Sequence, residues 1–478
     1  MGKNKSIGFD AGTSKVEVAV NDGASTTFTE RVDVRTRKDG KWTIQDITDV
    51  RRAILLLTEQ AGRSEDLTTI NSIGLCATTT SLLAVGEDGE PQSNVFMWCS
   101  TADEGATNPD NTNRGSRMMA ALDRDFPSVV RRARYIVDVA DYLRHWMSGQ
   151  LAVNKSTLAA KFAWTARNGF DLRGLEGRGM SELLTKLPRR PVAVGETVGV
   201  LRRGALLDLG LRRNTPVVNS AYDTPASIPG AGISEPGSEL LMSVGTSLGV
   251  YMIPNAQKAS INNWPFRSDL IPGPWKTLFG GFEAGAQSIR ILNDRVLLSC
   301  QAADKYGWLE NEICTAEAAC DAGVFALPFG GVHVRAPIHR PLRSFVGLGD
   351  ELVPNDLHSL VAMRRGIAYF AAYCIDDLRS RGVSISAIHL VGGGSRSRSF
   401  CQLICDVCDL PVVNFGSSAA AVGAAIIARM ALSPAEYHNS VTHLRQSRPR
   451  YQPLAGRRTL YDQGFLVFLR HLKSALVD

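Results

Sequence analysis

Two turns of the same composition, one in each half of the chain, constrain the fold more than any other feature. Residues 8–15 read GFDAGTSK and residues 241–251 read LMSVGTSLGVY, each with an apolar run, a Gly-Thr-Ser turn and a second apolar run. Apolar or alternating residues on both sides of a tight turn make a β-hairpin. Two copies of one hairpin, each near the start of a half, mark an internally duplicated fold. In the first copy Gly12 frees the backbone to turn, Thr13 and Ser14 add hydroxyls to exposed amides, and Asp10 stands just before the turn with no evident partner. Amides and hydroxyls suit phosphate oxygens, and a carboxylate beside them suits Mg²⁺. Taken alone, the stretch is explained as well by an ordinary glycine hairpin in a sheet.

At 478 residues, with 44% hydrophobic content, the chain has ample core for two to three domains of α/β type. A net charge of +6 spread over 53 basic and 47 acidic residues forms no basic stripe, so nucleic acid is not an expected partner. No apolar stretch reaches membrane-spanning length and the start runs directly into a strand, which predicts a cytoplasmic protein without a membrane partner. Nine cysteines in such a chain are expected as reduced thiols. Cys401, Cys405 and Cys408 share one helix face; no nearby His or fourth Cys completes a tetrahedral metal site, and a buried helical stripe explains the same spacing.

Three further stretches carry chemistry. Residues 72–98 read as strands around the Thr78–Ser81 break and end in an aromatic, so Thr79, Thr80 and Trp98 form a plausible wall for a polyhydroxylated ligand; a β-meander is the plain alternative. Residues 215–232 place Asp223 where a strand gives way to a helix, a position that exposes a carboxylate to accept a hydroxyl proton and that also suits an N-cap. Residues 388–413 run from a strand into Gly392-Gly393-Gly394, then Ser395, then a helix carrying Gln402. Glycines at a strand end let a flat ligand lie against the backbone, and the helix start offers amides to an anion.

In this order and spacing the chain resembles the FGGY carbohydrate kinases, the sugar and polyol kinases of the sugar kinase/Hsp70/actin superfamily. GFDAGTSK and SVGTSLGVY look like the family's phosphate hairpins and VGGGSRSRSFCQLICDV like its adenosine-binding turn; DYLRHWMSGQ, GGFEAGAQSIRIL, FALPFGGVHVRAP and AAAVGAAIIA are also family-like. The resemblance implies an α/β fold of two actin-like (ribonuclease H-like) domains, residues 1–240 and 241–478, each a mixed β-sheet flanked by helices, with the site in the interdomain cleft. It implies ATP and Mg²⁺, with Asp223 as catalytic base, also contacting substrate, and Asp10 placing the metal and phosphates. Gly12, Thr13, Ser14, Gly245, Thr246 and Gly285 would then lie along the nucleotide phosphates, and Gly393, Gly394, Ser395 and Gln402 at the adenosine. The acceptor it implies is a small sugar or polyol, a pentulose such as ribulose or xylulose first, a tetritol or other polyol next. Many relatives self-associate, so a homodimer is an expectation of the same kind.

The chain also departs from the family. Ser100 and Ala102 stand where an Asp and an Arg usually follow the Trp98 position, Glu17 stands where the hairpin commonly has a base, and an acid is usual at Arg365 and near Ser418. Losing a carboxylate and a guanidinium removes charge-assisted bonds to substrate hydroxyls, which predicts a specificity unlike that of xylulokinase or ribulokinase. A non-catalytic relative that binds nucleotide or sugar as a sensor or subunit is the alternative function.

Overall fold

The first hairpin forms as its pattern predicts. β1 (Lys5–Ala11) and β2 (Lys15–Asn21) pair antiparallel with Asp10 opposite Glu17, and the Gly12 amide closes the turn on the Lys15 carbonyl at 2.9 Å. Their apolar side chains are fully buried, and β3 (Thr26–Asp33) pairs with the outer side of β2. β4 (Ile70–Ala77) lies parallel to β1; β5 (Thr197–Val200) and β6 (Pro216–Asn219) complete a six-stranded sheet of order β5-β6-β4-β1-β2-β3. The computed structural model describes residues 4–103, 113–171, 179–245, 248–255, 260–261, 264–282, 286–321, 323–329, 342–346 and 356–477.

The second hairpin repeats this arrangement strand for strand. β7 (Glu239–Val244) and β8 (Leu248–Met252) pair antiparallel, and β9 (Thr277–Phe282) adds antiparallel to β8. On the other side β10 (Ala387–Val391) is parallel to β7, β11 (Val412–Gly416) is parallel to β10, and β12 (Arg450–Tyr451) ends the row antiparallel, as β5 does in the first sheet. Two short strands, Ser260–Ile261 and Trp264–Arg267, extend this sheet beyond β9 to eight strands. Equal strand order and direction in both mixed sheets is the duplication that the two turns predict.

The helices that bear on function are α1 (Arg114–Asp125), α2 (Val139–Ser148), α3 (Lys155–Lys161), α4 (Asp223–Gly230), α5 (Lys305–Ala319), α6 (Asp356–Ser380), α7 (Arg398–Cys408) and α8 (Ala419–Ala428). The chain forms two units: residues 1–235 with 267–276 and 418–447, and residues 236–266 with 277–417 and 448–478. α8 therefore packs with the first unit although it lies between β11 and β12 of the second sheet in sequence. Its fit is backbone to backbone: a Cβ on Gly8 would sit 2.2 Å from the Ala425 nitrogen, and one on Gly423 would sit 1.7 Å from the Ala226 carbonyl oxygen. The alanines and glycines of AAAVGAAIIA are what allow β1, α4 and α8 to approach so closely.

One local reading changes. β4 belongs to the six-stranded sheet, whereas Leu82–Val85 and Val95–Phe96 belong to a separate five-stranded sheet, so residues 72–98 are a crossing between sheets and not a meander. The segment from Tyr135 to Trp164 contains short strands at Tyr135–Asp138 and Val153–Asn154 as well as α2 and α3. Of the turn-rich stretch 108–115, residues 108–112 lie outside the described residues, and Asn113 is the N-cap of α1. Cys401, Cys405 and Cys408 are buried in the apolar core of the second unit. Among the described residues no helix is long and apolar enough to cross a membrane.

Candidate active site

In the first unit the parallel strands β1, β4 and β6 deliver Asp10, Cys76 and the turn before Asp223 to one end of the sheet. Asp10 faces the Cys76 thiol, 3.6 Å from its Oδ1, and Glu17 is its cross-strand neighbour. Burial, then the charges of Asp223 and Glu17, push the Asp10 carboxyl up to about 8, with Lys15 opposing them. Asp223 is the first residue of α4, with Tyr222 rather than Asp223 in the N-cap position; its Oδ1 accepts from the Thr224 amide at 2.8 Å. Burial raises its carboxyl to about 6, while the Thr224 amide and the Lys161 charge hold it back. Both carboxylates keep part of their surface open. The pair is thus pushed apart, with Asp223 ionised at neutral pH and Asp10 the more proton-retaining of the two.

The turn between β1 and β2 is held from outside. Gln45, buried, donates through Nε2 to the carbonyls of Gly12 (3.3 Å) and Thr13 (3.0 Å), and the Ser14 carbonyl accepts from the Val34 amide at 2.9 Å. With these carbonyls engaged, the Ser14 side chain is left exposed. Trp98 meets the same turn: its Nε1 donates to Thr13 Oγ1 at 2.9 Å, and its own amide donates to Ser81 Oγ at 3.3 Å. Thr80 sits at a left-handed φ of 60°, its amide donating to Asp138 Oδ2 (2.8 Å) and its hydroxyl to the Thr79 carbonyl (2.6 Å). Its side chain is spent on the turn. Thr79 Oγ1, by contrast, is buried with no hydrogen-bond partner, the condition of a hydroxyl that a ligand would satisfy.

The departures acquire partners. Glu17 is buried beneath Lys15, whose Nζ lies at 2.8 Å, and accepts from Ser418 Oγ at 3.1 Å, so a lysine and a serine hydroxyl compensate this buried acid. Ser100 and Ala102 are each 2% exposed; Ser100 Oγ donates to the Met97 carbonyl at 2.7 Å and accepts from the Thr43 amide at 3.0 Å. These positions are filled by core. Charge reappears beside them, because Asp103 lies 3.6 Å from Arg114 and 3.7 Å from Arg117 of α1, and Arg114 also donates to the Trp98 carbonyl at 2.7 Å. Arg365 is fully buried and caps the end of α5: it pairs with Glu317 at 2.6 Å and donates to the carbonyls of Glu317, Cys320 and Asp321.

In the second unit β7 runs into Gly245 and β10 into the glycine turn; Thr246 and Gly285 lie outside the described residues. A Cβ on Gly393 would meet nothing within 4 Å, leaving that backbone open to a flat ligand, whereas one on Gly394 would meet Val244 Cγ1 at 2.8 Å. Ser395 is buried and donates to the Gly392 carbonyl at 2.7 Å. Gln402 Nε2 donates to Asp406 Oδ1 (2.8 Å) and to the Gln452 carbonyl (2.9 Å), so its amide nitrogen ties α7 to the segment near β12.

Residues 240–432 match the FGGY family of carbohydrate kinases, C-terminal domain. That match covers the second half of the chain. It is 24% identical to an FGGY carbohydrate kinase domain-containing protein of Xenopus laevis, over 88% of this chain and 87% of that protein. It is 22% identical to a ribulokinase of Geobacillus thermodenitrificans, over 90% and 86% respectively. The crystal structure of a xylulose kinase from Brucella ovis superposes with a TM-score of 0.78 at 22% identity, covering 98% of this chain and 99% of that one. The two duplicated sheets accordingly have the two-domain, actin-like fold of these sugar kinases, and the matches support an ATP-dependent carbohydrate kinase.

The donor set also bears on a metal. Among the described residues no group of three or more His, Cys, Asp or Glu is placed to hold an ion. Mg²⁺ needs no such group, since it takes one or two carboxylates and fills its shell with phosphate oxygens and water. A partly open carboxylate crowded by two other acids, as Asp10 is, fits that requirement.

Three residues at this site escaped the reading of the sequence: Lys161, Cys76 and Arg114. Cys76 has no signal beyond its place in an apolar strand. Lys161 and Arg114 are single cations at a helix end and a helix start, where sequence pattern alone does not name a partner.

Proposed function

We propose that this kinase transfers the γ-phosphoryl group of Mg-ATP to a hydroxyl of a small ketose or polyol, a pentulose such as ribulose or xylulose first. The observation that carries the reading is the Asp223 carboxylate, partly open at the start of α4 and ionised at neutral pH. An acceptor hydroxyl bonded to it gives up its proton as the oxygen attacks the phosphorus, the new P–O bond forms, and ADP departs. Trp98 and Thr79 would line the acceptor, a ring face for its carbons and an unpartnered hydroxyl for one of its oxygens. The Gly12–Ser14 turn would offer amides and hydroxyls to the phosphates, and Asp10 would hold Mg²⁺, which supplies charge neutralisation when bound. On the second unit Gly245, Gly393, Gly394, Ser395 and Gln402 are assigned to the nucleotide. The similarity to a ribulokinase and to a xylulose kinase supports a pentulose as acceptor.

ADP release from Mg-ATP, measured across a panel of ketoses and polyols with Asp223→Ala alongside, tests the proposal. The expected result is a rate that depends on the acceptor and falls by about 10²–10⁴ in the variant. A chain that binds ATP but is stimulated by no acceptor would instead support the sensor reading.

A further inference from the structure

Resting on the reading of Trp98 as the acceptor wall, we propose that Asp138 is a positioning residue for the acceptor, whose side chain holds the strained Thr78–Ser81 turn in the shape that sets Trp98 in place.

The strain lies at Thr80. Its φ of 60° is left-handed, a region that a β-branched residue disfavours and that persists only where surrounding bonds impose it. The bond that imposes it runs from the Thr80 amide to Asp138 Oδ2 at 2.8 Å, between two buried residues. The other oxygen of the same side chain, Oδ1, accepts from the Ala140 amide at 3.2 Å and caps α2. One side chain therefore ties the turn to the start of a helix. The main chain repeats the link: the Val139 amide donates to the Ser81 carbonyl at 2.9 Å, and Leu82 lies opposite Asp138 where the strands Leu82–Val85 and Tyr135–Asp138 pair antiparallel.

The turn in its place holds Trp98. Ser81 Oγ, fully buried, lies 2.8 Å from Thr78 Oγ1 and accepts from the Trp98 amide at 3.3 Å. The Thr78 amide donates to the Ala11 carbonyl at 3.2 Å, one residue beyond Asp10 on β1. The turn is thus fastened to the strand end that carries Asp10 on one side and to the indole-bearing residue on the other. Thr79, whose Oγ1 is buried without a hydrogen-bond partner, is the immediate neighbour of the strained residue.

A helix cap alone requires neither feature. Capping α2 takes one side-chain oxygen, and serine supplies one as well as aspartate does. The second oxygen of Asp138 and the left-handed conformation of Thr80 are spent on the turn, and backbone strain of this kind collects where a ligand site must be held in shape.

The test separates the two oxygens. Asp138→Ser keeps an oxygen for the cap and removes the one that reaches Thr80. Thr80→Gly relieves the left-handed residue and keeps its amide, so Asp138→Ser/Thr80→Gly can form the turn without the carboxyl. The readouts are the ¹⁹F resonance of Trp98 in protein labelled with 5-fluorotryptophan, assigned by its loss in Trp98→Phe, and steady-state kinetics with ribulose and xylulose at saturating ATP. In Asp138→Ser the ligand-free resonance is expected to shift or broaden and the sugar KM to rise about tenfold, with kcat within about twofold of wild type. The double variant is expected to return both toward wild type. A residue that only caps α2 would move neither. An unmoved resonance, or an unmoved KM, in Asp138→Ser protein that keeps its circular dichroism spectrum overturns the inference. Should Asp138→Ser not fold, the double variant decides, since a displaced Trp98 resonance in it would mean that Asp138 does not act through Thr80. If neither sugar shifts the Trp98 resonance of the wild type or is turned over, it is the acceptor reading that fails, and the ligand-free spectra still decide whether Asp138 places Trp98.

Discussion

The indole Nε1 of Trp98 donates to Thr13 Oγ1 at 2.9 Å, bonding the residue assigned to the acceptor wall to the turn assigned to the phosphates. One hydrogen bond thus couples two subsites of the first unit. Trp98→Phe keeps a ring against the acceptor and deletes the donor. It is expected to raise KM for ATP as well as for the sugar, each about fivefold, the equivalent of about 1 kcal/mol. Trp98→Ala should lose more on the sugar side. Steady-state kinetics with each substrate varied in turn check this, and a change confined to the sugar would remove the coupling.

Activity should depend on pH through Asp223. Its carboxyl, raised to about 6, is the base only when ionised. kcat/KM is therefore expected to lose a further tenfold for each pH unit below that value. A profile at saturating and subsaturating sugar measures the limb, and a midpoint near 4 would mean that burial does not act on this carboxyl as the fold implies.

Asp10 is costly to the ligand-free protein. Its carboxyl is raised from an ordinary value of 3.8 to about 8, so the folded state retains a proton that the unfolded chain releases. The stability this group contributes is full below about pH 4 and is lost as pH rises toward 8. Asp10→Asn is expected to raise Tm by about 2–4 °C at pH 8, to change it little at pH 4, and to abolish turnover. Thermal unfolding at the two pH values, without nucleotide or metal, is the check.

An acid placed at Arg365 should not be tolerated. The Arg365 guanidinium pairs with Glu317 and satisfies the terminal carbonyls of α5, while Tyr461 donates to the same Glu317 carboxylate at 3.2 Å. Arg365→Glu would bury two acids against unsatisfied carbonyls, with an expected loss of about 3–5 kcal/mol in the second unit. Urea unfolding followed by fluorescence and circular dichroism together measures it, since two units need not unfold in one step.

The legible parts of this protein are those that a few consecutive residues encode. Gly-Thr-Ser between apolar runs makes the same turn twice because glycine and strand patterning act locally, and the spacing of the two turns was enough to predict a duplicated sheet. Asp223 was legible for the same reason, standing where an apolar strand passes into a helix. The alternative of a meander around the Thr78–Ser81 break fails because strand propensity carries no information about which sheet a strand joins. Thr80 looked like a ligand group, but its hydroxyl is consumed by a left-handed turn that only backbone geometry reveals.

Sequence alone therefore settled the class of fold and the residue types of the two turns, since both follow from periodicity and local conformational preference. Tertiary structure decided how the unusual charges are balanced. Glu17 is met by Ser418 as well as by its near neighbour Lys15, and Arg365 by Glu317, across long stretches of chain. Burial makes each charge expensive, and only packing determines which remote side chain arrives to compensate it.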